Sequence, residues 1–344
     1  MDERRAHLHR ATERGAYSLM TASELLRRMK EMRVLVVGDI CLDRWCIYEP
    51  SLSEASRETG LPRTAVTRTE TTPGAAGTVA NNLRSLGVGD VAVLGLAADD
   101  GHGYELLKAM KSRGIRTDLL VKNSELPTFT YTKLINSETG VEDKSRVDFV
   151  FTQDIPVDVE DAVCEQLRKY GRDFDLICVS DQAETERGGI VTAATRDTLA
   201  ELAGAGKLIW VDSRRRIEHF RSAVLKVNHQ EASEARARCG NAPLSDILKT
   251  TEAPAMFVTH GGNGVQILNQ AGETWLMTKR VVAPVDICGA GDSFTAGAAC
   301  ALAAGANHHA AARLGHLVAS ITIMKEGTGV AYPGELLEAE KAGE

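Results

Sequence analysis

A helix start that carries an aspartate beside three small residues is the part of this sequence with the clearest chemistry. Gly289, Ala290 and Gly291 immediately precede Asp292, and an alanine-rich segment, predicted to be a helix, runs from Gly291 to Ala304. N–H groups in the first turn of a helix have no partners within the helix and carry the positive end of its dipole, so such a turn attracts anions. The small residues give a phosphate access to those donors.

An aspartate at such a turn repels a bound anion, so the presence of Asp292 there needs an explanation. It is useful where the carboxylate removes a proton from a nucleophile that attacks the anion. Asp292 and the turn before it therefore indicate phosphoryl transfer to a hydroxyl group. A tight strand-to-helix turn, in which Asp292 is an ordinary N-terminal residue of the helix, explains the four residues equally well on their own.

Two further carboxylates follow the first predicted strand. Arg33–Gly38 is an apolar segment of the kind found inside parallel sheets, and Asp39 and Asp43 come after it. Ligands of open parallel sheets bind beyond the carboxyl ends of the strands. Either side chain is suited to hydrogen-bond a sugar hydroxyl. Asp39 is equally suited to cap the following turn, so Asp43 is the stronger candidate.

A glycine-containing segment, Pro73–Asn82, enters another predicted helix. Gly74 and Gly77 allow a ligand to approach the backbone at the helix start. Close packing of that helix is an equally good reason for both glycines.

The rest of the chain must position these residues, and it alternates between strands and helices. Strands predicted near 175–179, 207–211, 224–227 and 256–259 end in polar residues or a glycine loop, at Asp181, Asp212, Asn228 and Thr259. We expect these ends to lie along one edge of a mainly parallel sheet. This repetition indicates a single large α/β domain covering residues 32–344.

Two segments, about 45–73 and 127–151, depart from that alternation. Each contains a run of alternating β-branched residues, Thr64–Thr72 and Phe129–Ile135, typical of half-exposed strands. We expect them to pair as a small β lid that keeps water from a phosphoryl donor. Exposed lid edges also predict a homodimer. Residues 1–31 form a polar N-terminal extension, with a capping-box pattern from Thr21 to Glu24 that predicts a short helix.

Composition narrows the classes of function. The chain has 344 residues, a formal net charge of -7 and 25% charged residues, and no long basic run, which argues against nucleic acid as a partner. Its seven cysteines contain no C-x-x-C pair, as expected of free thiols in a reducing compartment. No apolar stretch is long enough for a membrane span. We therefore expect a cytoplasmic protein without a membrane or nucleic-acid partner.

The segment from Asp286 to Asp292 resembles the D-x-x-G-A-G-D signature of the ribokinase-like (PfkB) carbohydrate kinases. Three further regions are similar to motifs of that family and occur in the same order. The first is Gly38-Asp39 with Asp43, and the second is the group of glycines after Pro73. The third contains two motifs, N-x-x-E at Asn228 and Glu231 and the loop T-x-G-x-x-G at Thr259, Gly261 and Gly264. The similarity covers about residues 32–340.

The resemblance implies a three-layer α/β sandwich with a mainly parallel central sheet and a small β lid. It implies ATP as the phosphoryl donor, held by Thr259, Gly261, Gly264 and Gly291, and Mg²⁺ placed through water by Asn228 and Glu231. Asp292 would be the general base, and the N–H groups of Gly289, Ala290, Gly291 and Asp292 would stabilise the transferred group. The acceptor would be held by the residues Asp39, Asp43, Gly74, Ala75, Thr78 and Asp181.

Within the family the chain is most similar to the D-glycero-β-D-manno-heptose 7-phosphate kinases, through Gly38–Arg44, Thr132–Leu134 and Arg146–Phe149. It departs from them where a glycine and an asparagine are replaced by Ala75 and Thr78, and where Gln182-Ala183-Glu184 replaces an aromatic residue and a lysine. Ile287 and Cys288 replace hydroxyl residues near a monovalent-cation site that the resemblance also implies.

Missing motifs argue against two other classes of protein, and two alternatives remain. A P-loop kinase is excluded because the G-x-x-x-x-G-K-[ST] motif is missing, and a nicotinamide dehydrogenase would need G-x-G-x-x-G after the first strand. A nucleoside kinase of the same fold is the alternative enzyme. A sugar- or nucleotide-binding regulator on a kinase fold is the alternative without catalysis, motivated by Ala75, Thr78 and Gln182.

Overall fold

The computed structural model of the chain describes residues 20–183, 187–278 and 281–342. In these ranges the strands are β1 Arg33–Gly38, β2 Ile40–Tyr48, β3 Val66–Ala75, β4 Asp90–Leu94, β5 Leu96–Ala98, β6 Val121–Asn123, β7 Thr130–Asn136, β8 Val147–Phe149, β9 Leu176–Asp181, β10 Leu208–Ser213, β11 Val224–Asn228, β12 Ala255–Thr259, β13 Val265–Asn269 and β14 Gly272–Leu276. The α-helices are α1 Ala22–Met29, α2 Ala76–Ser85, α3 Gly101–Ser112, α4 Val157–Tyr170, α5 Ala193–Gly204, α6 His229–Arg238, α7 Leu244–Thr250, α8 Ala290–Ala303, α9 His308–Thr322 and α10 Pro333–Lys341.

The central sheet has the strand order β14-β13-β12-β11-β10-β9-β1-β4. Strands β12, β11, β10, β9, β1 and β4 run parallel, whereas β13 and β14 are antiparallel additions at one edge. The parallel strands are apolar on both faces because helices cover both sides; Val34–Val37 in β1 is completely buried. The carboxyl ends of these strands therefore share one edge, as the sequence predicts.

Helices form a layer on each face of this sheet. One apolar core joins the sheet to α1, α2, α3, α8, α9 and α10, and the other joins it to α4, α5, α6 and α7. Helix α8 is apolar around most of its circumference and packs closely on α9, where a Cβ on Gly297 would lie 3.0 Å from the Cα of Gly315. This packing fixes the helix that carries Asp292. The predicted ribokinase-like three-layer α/β fold is confirmed.

A second sheet has the order β3-β2-β7-β8 and draws strands from both segments that depart from the α/β alternation. Strand β2 pairs in parallel with β7 and antiparallel with β3. The sequence patterns did not predict β2, and its Ile40–Tyr48 range lies partly before the expected lid segment 45–73. Neighbouring strands and helix α3 cover much of β2, so buried and exposed residues do not alternate along it. The two-residue hydrophobic period that identifies a half-exposed strand is therefore missing from its sequence.

The chain before the first strand forms helix α1, with Thr21 as its N-cap and reciprocal hydrogen bonds to Glu24. The helix docks on the C-terminal part of the domain: the N–H of Ala22 donates to Glu340, and Arg28 donates to the carbonyl of Ala304 at 2.6 Å. Residues 1–19 of the predicted extension lie outside the described residues. In the described ranges, no helix combines the length and apolarity that crossing a membrane requires.

Candidate active site

The turn before α8 has the geometry that the sequence predicts for an anion site. Gly289 is the N-cap and adopts a left-handed conformation with φ 76°, and Asp292 lies in the first helical turn. A Cβ on Gly289 would come within 3.2 Å of Thr78, so glycine is favoured by space as well as by conformation. The N–H of Ala290 already donates to the carbonyl of Ile287 at 3.2 Å. The first-turn N–H groups of Gly291 and Asp292 are therefore the main candidates to bind an anion.

This turn forms one wall of an open cavity of about 830 Å³, a volume that includes its solvent-filled mouth. The opposite wall is the second sheet. The residues that line the cavity are Cys41, Asp43, Arg44, Trp45, Ala75, Thr78, Tyr131, Lys133, Arg146, Gln182, Arg214, Cys288, Gly289, Asp292 and Thr328. Predicted residues from distant parts of the chain thus meet in one place.

The cavity raises the pKa of the Asp292 carboxyl group to about 7. Burial is the main cause, and the negative charge of Asp212 adds to it. The positive charges of Lys226 and Arg214 act in the opposite direction, while Asp43 raises the pKa further. A carboxyl group with a pKa near the ambient pH is well matched to accept a proton and to release it again.

Asp43 is the second carboxyl group of the cavity, and it reaches the cavity from β2. Burial raises its pKa to about 6, while the thiol of Cys41, 3.8 Å away, and the cations Lys133 and Arg146 act in the opposite direction. Gly74 on β3 leaves room for this carboxylate, because a Cβ there would lie 2.7 Å from Asp43 Oδ1. This close approach explains the glycine before the helix.

Ala75 and Thr78, two of the positions where the chain departs from the family pattern, line the same cavity. Ala75 has φ 52° and ψ -120°, a conformation that favours glycine and strains an alanine. The hydroxyl group of Thr78 donates to the carbonyl of Pro73 at 3.3 Å, and its methyl group faces Gly289. The alanine thus retains the backbone shape expected of a glycine.

Asp39 and Asp181, two of the predicted acceptor-binding residues, are placed differently. The Asp39 carboxylate accepts hydrogen bonds from the N–H groups of Gln182 and Ile190, at 2.9 and 2.8 Å, and its pKa rises to about 6 through burial and the charge of Asp181. It borders a smaller recess beside the main cavity. Asp181 is 1% exposed and binds Arg216 and the hydroxyl of Ser213. Both carboxylates therefore have structural partners within the protein.

On the predicted nucleotide side, Asn228 and Glu231 form a capping box at the start of α6. The Asn228 side chain accepts the N–H of Glu231 at 2.9 Å, and Glu231 Oε2 accepts the N–H of Asn228 at 2.7 Å. Burial and the charge of Asp212 raise the pKa of Glu231. Oxygen donors of this kind fit Mg²⁺, which usually keeps several waters and needs few protein ligands. The described residues contain no group of three or more acidic, histidine or cysteine side chains able to hold a metal ion.

The glycine loop after β12 has one open glycine and one packed glycine. Gly261 has φ 56°, and a Cβ on it would have no atom within 4 Å, so its surface is open to a ligand backbone or phosphate. At Gly264, with φ 105°, a Cβ would collide with the carbonyl oxygen of Leu276 at 2.2 Å. Thr259 Oγ1 is 3.5 Å from the carbonyl of Val227. Gly261 is therefore the member of this loop with the clearest access for nucleotide.

Lys133 and Arg146 line the cavity, although the sequence patterns assigned them no role in the site. They reach the cavity because β2 pairs in parallel with β7, and β8 pairs with β7. The signal was present in β7, where Tyr131 and Lys133 are two residues apart and so share one face of the strand. The sequence does not show which strand pairs with β7, so it could not predict that this face borders the cavity.

The comparisons with known proteins agree with the fold. Residues 32–334 match the pfkB family carbohydrate kinase model, and the chain belongs to that family. It is 31% identical over 325 residues to a protein of Rhodopseudomonas palustris (strain TIE-1) named bifunctional protein HldE. That alignment covers 91% of this chain and 64% of the relative, so the chain spans somewhat less than two thirds of the relative's length.

Solved structures confirm the architecture. Phosphofructokinase-2 from Escherichia coli, in complex with potassium, superimposes with a TM-score of 0.68 at 17% identity, covering 90% of this chain and 99% of that one. Ribokinase from Thermotoga maritima has a TM-score of 0.65 at 18% identity, covering 90% and 99%. At these identities the likeness establishes the fold.

Proposed function

We propose that this protein transfers the γ-phosphoryl group of ATP to a hydroxyl group of a sugar or sugar phosphate. The observation that carries the proposal is the cavity in which Asp292, at an anion-binding helix start, faces Asp43 across a space lined by positively charged side chains. Membership of the pfkB family supports the same reaction class. Burial raises the pKa of both carboxyl groups, so each destabilises the fold when it is ionised, and raised pKa values of this kind are typical of functional sites.

In the proposed reaction the Asp292 carboxylate takes the proton of the acceptor hydroxyl while that oxygen attacks the γ-phosphorus. A bond forms between the hydroxyl oxygen and phosphorus, the bond from phosphorus to the β,γ-bridging oxygen breaks, and ADP leaves with that electron pair. The N–H groups of Gly291 and Asp292 stabilise the negative charge on the transferring oxygens. Asn228 and Glu231 would place Mg²⁺ through its waters, and the bound ion would supply further neutralisation of the phosphate charge.

The acceptor is held by groups on the second sheet. Asp43 is suited to accept hydrogen bonds from sugar hydroxyls, and the backbone at Gly74 and Ala75 lies beside it. Lys133 and Arg146 line the same wall. Each is paired with one carboxylate, Glu142 at 3.7 Å and Asp148 at 2.7 Å, and their further N–H donors favour an acceptor that carries a phosphate. A heptose 7-phosphate has the hydroxyls and the phosphate that this arrangement suits. Lys133 and Arg146 lie in segments that resemble the heptose 7-phosphate kinases, so this part of the acceptor site is retained where Gln182-Ala183-Glu184 departs from them.

The decisive experiment is an ADP-release assay with ATP and Mg²⁺ across ketoses, heptose 7-phosphates, their unphosphorylated sugars and nucleosides. We expect a phosphorylated sugar to stimulate ADP release, and Asp292→Asn to abolish the stimulation. Stimulation by nucleosides alone would identify the alternative kinase. ATP or sugar binding with no turnover for any acceptor would favour the regulator and contradict the proposal.

Two further properties belong to the same proposal. Ile287 and Cys288 lie in the turn where a monovalent cation is implied, and KCl in place of N-methylglucamine chloride should raise the turnover if K⁺ binds there.

For the homodimer, β3 is an edge strand of the second sheet, with Val66 44% exposed at its start. Light scattering of the full chain should give twice the 37.0 kDa mass of one chain.

A further inference from the structure

Lys226 is a charged residue inside the central sheet, and the proposed mechanism does not use it. It lies on β11 and is 4% exposed. Its ammonium group is 2.7 Å from Asp212 Oδ2 on the neighbouring strand β10. The strand register pairs Asp212 directly with Lys226. Buried ion pairs contribute little to stability on average, because removing two charges from water offsets their attraction. A role in stability is therefore a weak explanation for the pair.

The pair is oriented toward the anion-binding turn. A Cβ built on Gly291 would lie 2.9 Å from Lys226 Nζ and 4.0 Å from Asp212 Oδ2. The positive end of the pair is therefore nearer to the turn than the negative end. Gly291, without a side chain, leaves the space that the ammonium group occupies.

Other hydrogen bonds hold the pair in this orientation. Thr295 Oγ1 on α8 lies 3.4 Å from Asp212 Oδ2 and accepts the indole N–H of the buried Trp210 at 3.3 Å. The carboxylate is thus fixed from the helix side, and the lysine is fixed by the carboxylate. A charge held in this way needs no reorganisation when a charged ligand arrives.

The surroundings of the turn explain why a buried cation is useful there. Three sets of groups face Asp292: Asp212 from β10, Asp43 from β2, and the thiols of Cys41 and Cys288. Glu231 lies within electrostatic range of the Asp212–Lys226 pair. The opposing cations are Lys226 and Arg214. Because Arg214 is exposed, Lys226 is the cation that solvent screens least.

We propose that Lys226 is a further residue of the phosphoryl-transfer site, whose fixed ammonium group, held by Asp212 beneath Gly291, attracts the phosphate groups that bind at the turn. This inference rests on the proposed function and adds Lys226 to the groups that bind the phosphates. The ammonium group acts on the triphosphate through the gap left by Gly291, and no proton moves to or from it. Adenosine carries no phosphate and no charge for the ammonium group to attract, so the effect of Lys226 is expected on the phosphates alone.

The test compares binding of a triphosphate with binding of adenosine by calorimetry. Mg²⁺ with the non-hydrolysable analogue AMP-PNP, and adenosine alone, are titrated into wild type, Lys226→Met and the double variant Asp212→Asn/Lys226→Met. The double variant removes both charges, so no buried charge is left unpaired and the fold is retained more readily. Lys249→Met, which changes an exposed lysine on α7, is the matched control. Asp212→Asn/Lys226→Gln, which removes both charges and keeps hydrogen-bonding groups at the two positions, provides the same comparison if the methionine variants do not fold.

We expect the double variant to bind adenosine as the wild type does, and to lose affinity for AMP-PNP by about tenfold or more. Turnover should fall by about a hundredfold, as when one donor to a transition-state charge is removed. Unchanged AMP-PNP affinity and turnover, or an equal loss for adenosine and AMP-PNP, would overturn the role of Lys226. A wild type that binds no nucleotide would overturn the proposed function as well, so the two failures are distinguishable.

Discussion

Replacing Asp292 by asparagine should have opposite effects on turnover and on stability. The substitution keeps the size of the side chain and removes its ability to accept a proton as a carboxylate. We expect the turnover to fall by at least about a hundredfold, because general-base catalysis contributes that much or more. Nucleotide binding should persist, since the N–H groups of the turn remain. The folded protein should become more stable, because a buried carboxylate is replaced by a neutral group.

The size of the stability gain follows from the pKa of Asp292, which the folded protein raises from 3.8 to about 7. A carboxyl group whose pKa is higher in the folded state destabilises the fold progressively as pH rises above its unfolded value, and fully above its folded value. A shift of roughly three pH units at 1.36 kcal/mol each gives about 4 kcal/mol at pH 8, and about 2 kcal/mol at pH 5. Both values are upper bounds, since solvent in the open cavity screens the charge.

Thermal unfolding without nucleotide, at pH 5 and pH 8, measures this effect. The melting temperature of Asp292→Asn should exceed that of the wild type at both values, with the larger difference at pH 8. Asp158→Asn is the control, because Asp158 is exposed in the first turn of α4, where a carboxylate stabilises the helix slightly. An Asp292→Asn protein that is less stable than the wild type at pH 8, or that retains near-full turnover, would refute the reasoning.

Three other predictions concern the same cavity. Ala75→Gly should raise the free energy of unfolding by about 1 kcal/mol, because glycine adopts φ 52° without strain; a thermal melt measures it. Lys133→Met should raise the KM for a phosphorylated acceptor by about tenfold, with little change for its unphosphorylated form, in steady-state kinetics. The turnover of the wild type should increase with pH up to about 7 and then level off, as the Asp292 carboxyl group loses its proton; a profile of kcat against pH records it.

Each of these predictions has a control or a contrary outcome. Ala76→Gly, one residue on in α2, should destabilise the protein because it weakens a helix instead of relieving strain. Lys108→Met changes an exposed lysine on α3 and should leave the KM for every acceptor unchanged. A turnover that is constant from pH 5 to pH 8 would show that the ionisation of Asp292 does not limit the reaction.

The main sheet and the helix start at Asp292 were predictable because their signals are local. Val34–Val37 is an uninterrupted apolar run, and small residues lead directly into the alanine-rich α8. The capping box from Thr21 to Glu24 is likewise a short-range pattern, and the structure contains both of its hydrogen bonds. Each of these features depends on residues at most a few positions apart.

The contacts across the cavity were not predictable, since they depend on strand pairing between distant segments. Lys133 faces the cavity because β7 pairs with β2, some ninety positions earlier in the chain. Lys226 stands in an otherwise apolar strand, and its partner Asp212 comes from the neighbouring strand in register. An apolar pattern indicates only that such a strand is buried. It contains no information on which charge the lysine meets.

The N-x-x-E spacing at Asn228 and Glu231 has a structural reason beside the functional one that we propose. The same spacing forms the capping box of α6, and a cap alone would account for both residues. The reciprocal bonds use only Oε2 of the Glu231 carboxylate, and they fix this side chain beside the Asp212–Lys226 pair. A cap that holds a carboxylate rigidly is also what outer-sphere placement of a hydrated Mg²⁺ requires, because waters are oriented only by groups that do not move. The structural role therefore supports the functional one.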